Sequence, residues 1–347
     1  MTKTKTNTNA PLNVPTDQLG RQRFLADCYK LKPKELKISE LHWRSTLRAV
    51  IRGENLLLKG PSGCGKTMLA MIMPKVFNRP FFYFNMGATQ DPRGALIGNV
   101  HFKKDTGTFL AQSLFVKAIQ TENALILLDE LSRAHPEASN ILMTVLDATQ
   151  RYLRIDEDPE TETVKVAKGV CFVATANEGV EYTGTKTMDR ALRDRFSTII
   201  MEPLSKEDEL DLLIQSCPDV DVKILTCIAD IADTTRLQIC DDNSKVDTIV
   251  STRMSMRVAA QIQDGLTLEE AAEIEIYPFF SDAGGSESPM SFMKKLIQKY
   301  VADPGTSEKH TPFDPDSAFY PTNGTSNPWS PIARTLKTHS VAPPFPP

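Results

Sequence analysis

The chain has 347 residues, 41% of them hydrophobic and 24% charged, with a formal net charge of −4. This is the balance of a globular protein with enough chain for two or three folded units. It gives no global electrostatic case for nucleic-acid binding, leaving only a local basic groove or pore. No apolar run approaches the ~18 residues of a membrane span, and residues 1–10 alternate Thr, Lys and Asn without the apolar stretch of a secretory signal. Cys28, Cys64, Cys171, Cys217, Cys227 and Cys240 form no C-x-x-C pair, and the five histidines show no H-x-x-x-H spacing. These patterns argue against a disulfide scaffold or a transition-metal site and for a reduced, cytoplasmic protein.

Residues 1–20 are polar and read as a flexible arm. Residues 21–39 are mixed, punctuated by Lys32-Pro33-Lys34. Residues 40–52 predict an amphipathic helix with Leu41, Leu47, Val50 and Ile51 on one face, Ser39 as its cap and Gly53 as its stop. Trp43 on this helix fits either a core position or one beside a ligand.

Next comes Gly60-Pro61-Ser62-Gly63-Cys64-Gly65-Lys66-Thr67, a complete match to G-x-x-x-x-G-K-[ST]. A short apolar strand is expected over 55–59 and a helix over 67–73, the context this motif requires. Gly60, Gly63 and Gly65 let the backbone curl so that N–H groups converge on an anion, and the helix adds its positive end. Lys66 would reach the β- and γ-phosphates, Thr67 would hold Mg²⁺ through its hydroxyl, and Met68 follows in the first turn. The sequence therefore predicts a nucleoside-triphosphate site.

A second strand is expected over 80–85, then a glycine-dotted stretch at 86–98, a hairpin over 100–110 turning near Asp105-Thr106-Gly107, and a helix over 111–120. Residues 124–130, Ala-Leu-Ile-Leu-Leu-Asp-Glu, form a continuous apolar run ending in two carboxylates. Such a run fits a central parallel strand, and ligands of parallel sheets bind at the carboxyl ends of the strands. Asp129 there can hold Mg²⁺ opposite Thr67, while Glu130 can orient or deprotonate an attacking water. A helix over 136–148 opens on Pro136, and a hairpin joins 152–155 to 163–166 through the acidic turn Asp156-Glu157-Asp158-Pro159. A strand over 170–177 ends on Asn177, which could hold the water, touch the γ-phosphate or simply close a turn. Residues 189–196 carry Arg190, Arg193 and Arg195 into a last strand over 197–201.

This alternation predicts an αβα sandwich with a five-stranded parallel sheet over residues 21–203. Residues 204–302 hold no strand signal and predict a small all-α lid domain, with helices near 205–215, 220–231, 253–264, 267–276 and 288–301 and a loop at Gly284-Gly285-Ser286. Residues 303–347, rich in Pro, Ser and Thr, are expected to be disordered or to wrap a neighbour.

Together these residues resemble the AAA+ ATPases over about residues 40–265. Within them the chain is similar to the MoxR-type and dynein-related group, which includes the CobS subunit of cobaltochelatase and the CbbQ and NorQ activases. The glycine-rich loop matches Walker A and residues 125–130 Walker B. Asn177 matches sensor 1, Arg195 the arginine-finger region and Arg253 sensor 2. Asp129-Glu130-Leu131-Ser132-Arg133-Ala134-His135-Pro136 is similar to the group signature D-E-x-x-R-A-x-P, with Ser132 and His135 as variations.

The resemblance implies an ATP- and Mg²⁺-dependent hydrolase closing as a homo-oligomeric ring of six, with the finger supplied by a neighbour from Arg190, Arg193 or Arg195. It also implies that the stretch 91–110 and the hairpin around 151–168 project toward the central pore. Members of the group commonly work with a von Willebrand A-domain protein. No D-x-S-x-S motif is present here, so that partner, or a chelatase subunit, would be a separate chain. The alternative is a nucleic-acid-linked enzyme like the McrB-type GTPases of DNA restriction, which Ala191-Leu192-Arg193-Asp194-Arg195-Phe196 also resembles. No zinc finger or helix-turn-helix signature accompanies it.

Overall fold

The computed structural model describes residues 15, 17–34, 36–104, 107–156, 162–177, 188–239, 244–246 and 248–302. The expected arm over 1–20 falls largely outside them, as do the tips of both hairpins and the tail 303–347.

Helices α1 (Gln18–Tyr29) and α2 (Glu40–Arg52) lead into β1 (Leu56–Lys59) and α3 (Lys66–Phe77). There follow β2 (Phe81–Asn85), α4 (Pro92–Leu96), β3 (Gly98–Lys103), β4 (Gly107–Gln112), α5 (Leu114–Gln120) and β5 (Leu125–Asp129). Helix α6 (Pro136–Leu146), β6 (Tyr152–Arg154), β7 (Thr163–Lys165), β8 (Cys171–Ala176), α7 (Arg190–Arg193) and β9 (Ser197–Ile200) complete the first unit. Strands β2, β5, β8, β1 and β9 form one sheet in that order, every neighbouring pair parallel. The fold is thus an αβα P-loop sandwich.

The central strands show why their sequences are apolar throughout. Side chains alternate across a strand, so Leu57, Ile126, Leu128, Phe172 and Ala174 fall into one apolar cluster. Leu56, Leu58, Leu125, Leu127, Cys171 and Val173 fall into another, on the opposite side of the sheet. The first cluster is completed by α4, α5 and α6, the second by α2 and α3. Each fully buried aliphatic side chain contributes roughly 1.5–3 kcal/mol, which makes both layers necessary to a sheet this apolar.

Helix α2 has the predicted bounds, with Ser39 Oγ accepting from His42 N and Gly53 at φ 67° closing it. Its buried face differs from the expected one. Trp43, Thr46, Leu47 and Val50 are buried, following i, i+3, i+4, i+7, whereas Leu41 is 70% exposed because it lies outside that spacing. Trp43 is a core residue, and its Nε1 donates to Tyr29 O at 3.2 Å. That bond docks α1, a helix the mixed composition of 21–39 did not announce. The helix expected over 111–120 is shorter: β4 runs to Gln112, and Ser113 Oγ accepts from Val116 N to start α5 at Leu114.

Beyond Pro203 come α8 (Lys206–Ser216), α9 (Val222–Ile239), α10 (Thr252–Gln263), α11 (Leu268–Glu275) and α12 (Pro289–Ala302), which share their own apolar cluster. Helix α9 runs eight residues past its expected end at Ile231. Thr235 inside the extension is fully buried and its hydroxyl accepts from Val250 N at 2.9 Å. No described helix is long and apolar enough to cross a membrane.

Replacing Trp43 by Ala should cost about 3–5 kcal/mol, the range for emptying a large aromatic site. Denaturant unfolding checks this, with Trp43→Phe losing less because the phenyl ring still fills part of the site although the indole bond to Tyr29 goes.

Candidate functional site

The site lies at the carboxyl edge of the sheet. Three neighbouring strands supply it: β5 brings Asp129 and Glu130, β8 brings Thr175 and Asn177, and β1 leads into the glycine-rich loop. A cavity of about 840 Å³ is lined there by Lys66, Thr67, Asp129, Glu130, Asn177 and Arg253, with Ser62, Gly63, Gly65 and Met68 along its loop side.

The loop needs its glycines for two reasons. Gly65 has φ 89° and Gly63 φ 81°, where a side chain is strained. At Gly60 the constraint is approach: a Cβ would stand 2.1 Å from Met201 O. Lys66 Nζ, on the first residue of α3, donates to Gly60 O at 2.8 Å and Pro61 O at 2.6 Å. Burial pushes this ammonium below the usual lysine range; Cys64 and Asp129 pull it back up and Arg253 pushes it down. A site that already strains a cation in this way favours an anionic guest.

Asp129 is 8% exposed and accepts three hydroxyls. Thr67 Oγ1 donates to Oδ1 at 3.2 Å, Thr175 Oγ1 to the same oxygen at 2.5 Å, and Tyr83 OH to Oδ2 at 3.0 Å. Burial, then the bond to Asp129, raises the Tyr83 phenol above its ordinary value. A threonine hydroxyl facing an aspartate oxygen is a hard-oxygen donor set, which fits Mg²⁺. Glu130 takes a left-handed backbone, φ 56° and ψ 39°, and its N–H donates to Thr175 Oγ1 at 2.9 Å. Its carboxylate lies in the room left by Gly87, where a Cβ would meet Oε2 at 2.6 Å, and 3.8 Å from Arg133 Nη1. Asn177 lines the cavity with Glu130, and its carbonyl accepts weakly from Ser132 Oγ at 3.5 Å.

The arginines divide. Arg253, on the first turn of α10, is exposed and lines the cavity. Arg195 is held inside its own chain: Nε donates to Met143 O at 2.9 Å, Nη1 to Ala191 O at 2.5 Å, and Nη2 pairs with Asp147 at 3.3 Å. Arg190 and Arg193 are exposed on α7. A second cavity, of about 610 Å³, adjoins the loop at Cys64 and is lined by His42 of α2 and its cap Ser39, with Lys32, Lys37 and Asp208. Trp43, buried beneath α2, is not among its lining residues.

Sequence reading did not single out Thr175, Tyr83 or Gly87. A Thr inside an apolar strand gives no signal of its own. Thr175 becomes visible only once β8 is known to lie between β5 and β1.

A glycine-rich loop, an opposed Asp-Glu pair, a polar residue on the intervening strand and an arginine from the helical unit are the parts of a P-loop nucleotide site. The chain belongs to the AAA proteins of the dynein-related subfamily: residues 55–196 match the AAA domain (dynein-related subfamily). It is 34% identical over 218 residues to BssE of Thauera aromatica, named as a candidate chaperone, covering 62% of this chain and 72% of the relative. It is 33% identical over 171 residues to the uncharacterized YojN of Bacillus subtilis, where it covers 48% of this chain and spans 54% of the relative. Among solved structures it is similar to the Thermotoga maritima RuvB Holliday junction branch migration motor, with a TM-score of 0.45, 16% identity, and coverage of 70% and 72% of the two chains.

Thr175→Val keeps the shape but leaves the Glu130 N–H without its acceptor and removes a donor from Asp129. It should lose about 1–3 kcal/mol in urea unfolding, with turnover falling further than stability.

Proposed function

We propose that the protein binds ATP and Mg²⁺, hydrolyses the nucleotide within a homo-oligomeric ring of six, and uses the cycle to remodel a partner protein on a separate chain. The observation that carries this reading is the convergence of Lys66, Thr67, Asp129, Glu130, Asn177 and Arg253 on one cavity. The curated relative named as a candidate chaperone points the same way. A von Willebrand A-domain protein or a chelatase subunit is the partner class that the family resemblance suggests.

The triphosphate would lie along residues 60–68, its charge met by loop N–H groups, the α3 terminus and Lys66. Thr67 and Asp129 would hold Mg²⁺, which supplies charge neutralisation between the phosphates. Glu130 receives the proton of the attacking water or fixes its direction, and Asn177 holds that water from the neighbouring strand. Arg253 meets the phosphates from the lid side. The base would occupy the second cavity under α2. Charge on the departing γ-phosphoryl group needs one more cation, and Arg190 and Arg193 are the exposed arginines positioned to offer it to a neighbouring subunit. A site completed from the next copy repeats head to tail and closes.

Glu130→Gln should bind ATP and lower turnover by at least ~100-fold, while Lys66→Ala should lose binding itself. Fluorescent-nucleotide titration beside a phosphate-release assay separates the two, and Glu130→Gln hydrolysing at the wild-type rate defeats the catalytic assignment. For the finger, Arg193→Ala or Arg190→Ala should cut turnover by ~10³ with affinity unchanged. Arg195→Ala should show first as a lowered melting temperature, because it frees Asp147 and two carbonyls. A turnover-specific loss confined to Arg195→Ala would move the role to that residue.

A further inference from the structure

The helical lid contains a buried ion pair that the site just described does not use. Glu209 on α8 has a side chain 0% exposed and Arg236 on α9 one 9% exposed, and the two pair through Oε2 and Nη2. Thr252, the first residue of α10, donates to the same Glu209 oxygen at 3.2 Å. Arg236 Nη1 donates to Leu204 O at 2.8 Å, and Nη2 also reaches Val250 O at 3.4 Å.

These bonds converge on three consecutive residues. Val250 is held by Arg236 through its carbonyl and by Thr235 through its N–H. Thr252 is held by Glu209. Between them Ser251 caps α10, accepting from Met254 N at 3.3 Å, and lies against the phosphate loop: a Cβ on Gly63 would stand 2.9 Å from Ser251 Cβ. Arg253 is the next residue and lines the nucleotide cavity. Leu204, at the other end of the network, lies in the segment joining β9 to α8, where the chain passes from the sheet into the lid. Helix α8 itself adds Leu212, Gln215 and Ser216 to the cavity wall.

A buried ion pair of this kind is a weak source of stability. Glu209 Oε1 and Arg236 Nε are buried without a hydrogen-bond partner among the described residues. Apolar residues of similar volume commonly replace such a pair without loss. What apolar packing cannot supply is direction: a guanidinium fork bonding a carboxylate and two carbonyls at once fixes three chain segments in one orientation.

We propose that Glu209 and Arg236 are positioning residues that lock the first turn of α10 to the interdomain segment at Leu204, so that Arg253 is aimed at the bound triphosphate and follows the lid as one body. The proposal rests on the nucleotide reading above and deepens it.

The test is a double-mutant cycle on the full chain, read by titration with a fluorescent ATP analogue and by phosphate release. The first partner is the paired apolar variant Glu209→Leu with Arg236→Met; the second is Arg253→Ala. The apolar pair should fold, with any drop in melting temperature limited to the cost of the freed Leu204 and Val250 carbonyls, yet bind the analogue about tenfold more weakly, the range for losing one charge-assisted hydrogen bond. Adding Arg253→Ala to it should cost nothing further. Arg236→Lys keeps the charge but not the fork, and should show the same loss of coupling should the apolar pair fail to fold. Wild-type affinity in a folded apolar pair, or an Arg253→Ala penalty of equal size in both backgrounds, overturns the proposal. Failure of the nucleotide reading looks different: the wild type would bind no analogue, or Lys66→Ala would bind it unchanged.

Discussion

Asp129 is the point on which the site depends. Its carboxylate accepts hydroxyls from Thr67 on α3, Thr175 on β8 and Tyr83 on β2. A buried carboxylate without such donors would be costly; with them it becomes a junction that fixes three elements in register. Thr175 then passes the constraint on, since the hydroxyl that donates to Asp129 also accepts the Glu130 N–H. The aspartate that would hold the metal and the glutamate that would direct water are therefore oriented by a single threonine. This is possible only because β8 runs between β5 and β1.

How much of this was legible varies with the range of the interaction. The glycine-rich loop, the Asp-Glu strand end and the alternation of strands and helices are local patterns, and the sheet follows from them. The bounds of α2 were readable from Ser39 and Gly53, while its buried face was not, because Leu41 is apolar yet off the stripe that Trp43 and Val50 define. Helix α1 was missed because its stability comes from docking, including the Trp43 bond to Tyr29 O. Thr175, Tyr83 and Gly87 were missed for a related reason: each matters through a residue more than forty positions away. The triple-arginine stretch could not be ranked from sequence, and it is the side-chain partners of Arg195 that set it apart from Arg190 and Arg193.

The two apolar clusters of the sheet and the third of the helical unit flank the site. The cavity walls come from strand ends, one loop and the faces of α8 and α10. The sheet side supplies the carboxylates, and the helical side supplies Arg253. That division suits the proposed nucleotide site, whose carboxylates need fixed positions.

Gly63 shows what that cover asks of the loop. In G-x-x-x-x-G-K-[ST] its position is one of the four that the pattern leaves unspecified. Here it is closed twice over, by a left-handed backbone and by Ser251 arriving from the lid. The choice of residue at an unspecified position is thus made in part by the helical unit. Anyone grafting a foreign lid onto this sheet, or this lid onto a foreign one, would have to move position 63 together with position 251. The two halves are coupled sterically at a point where a methyl group does not fit.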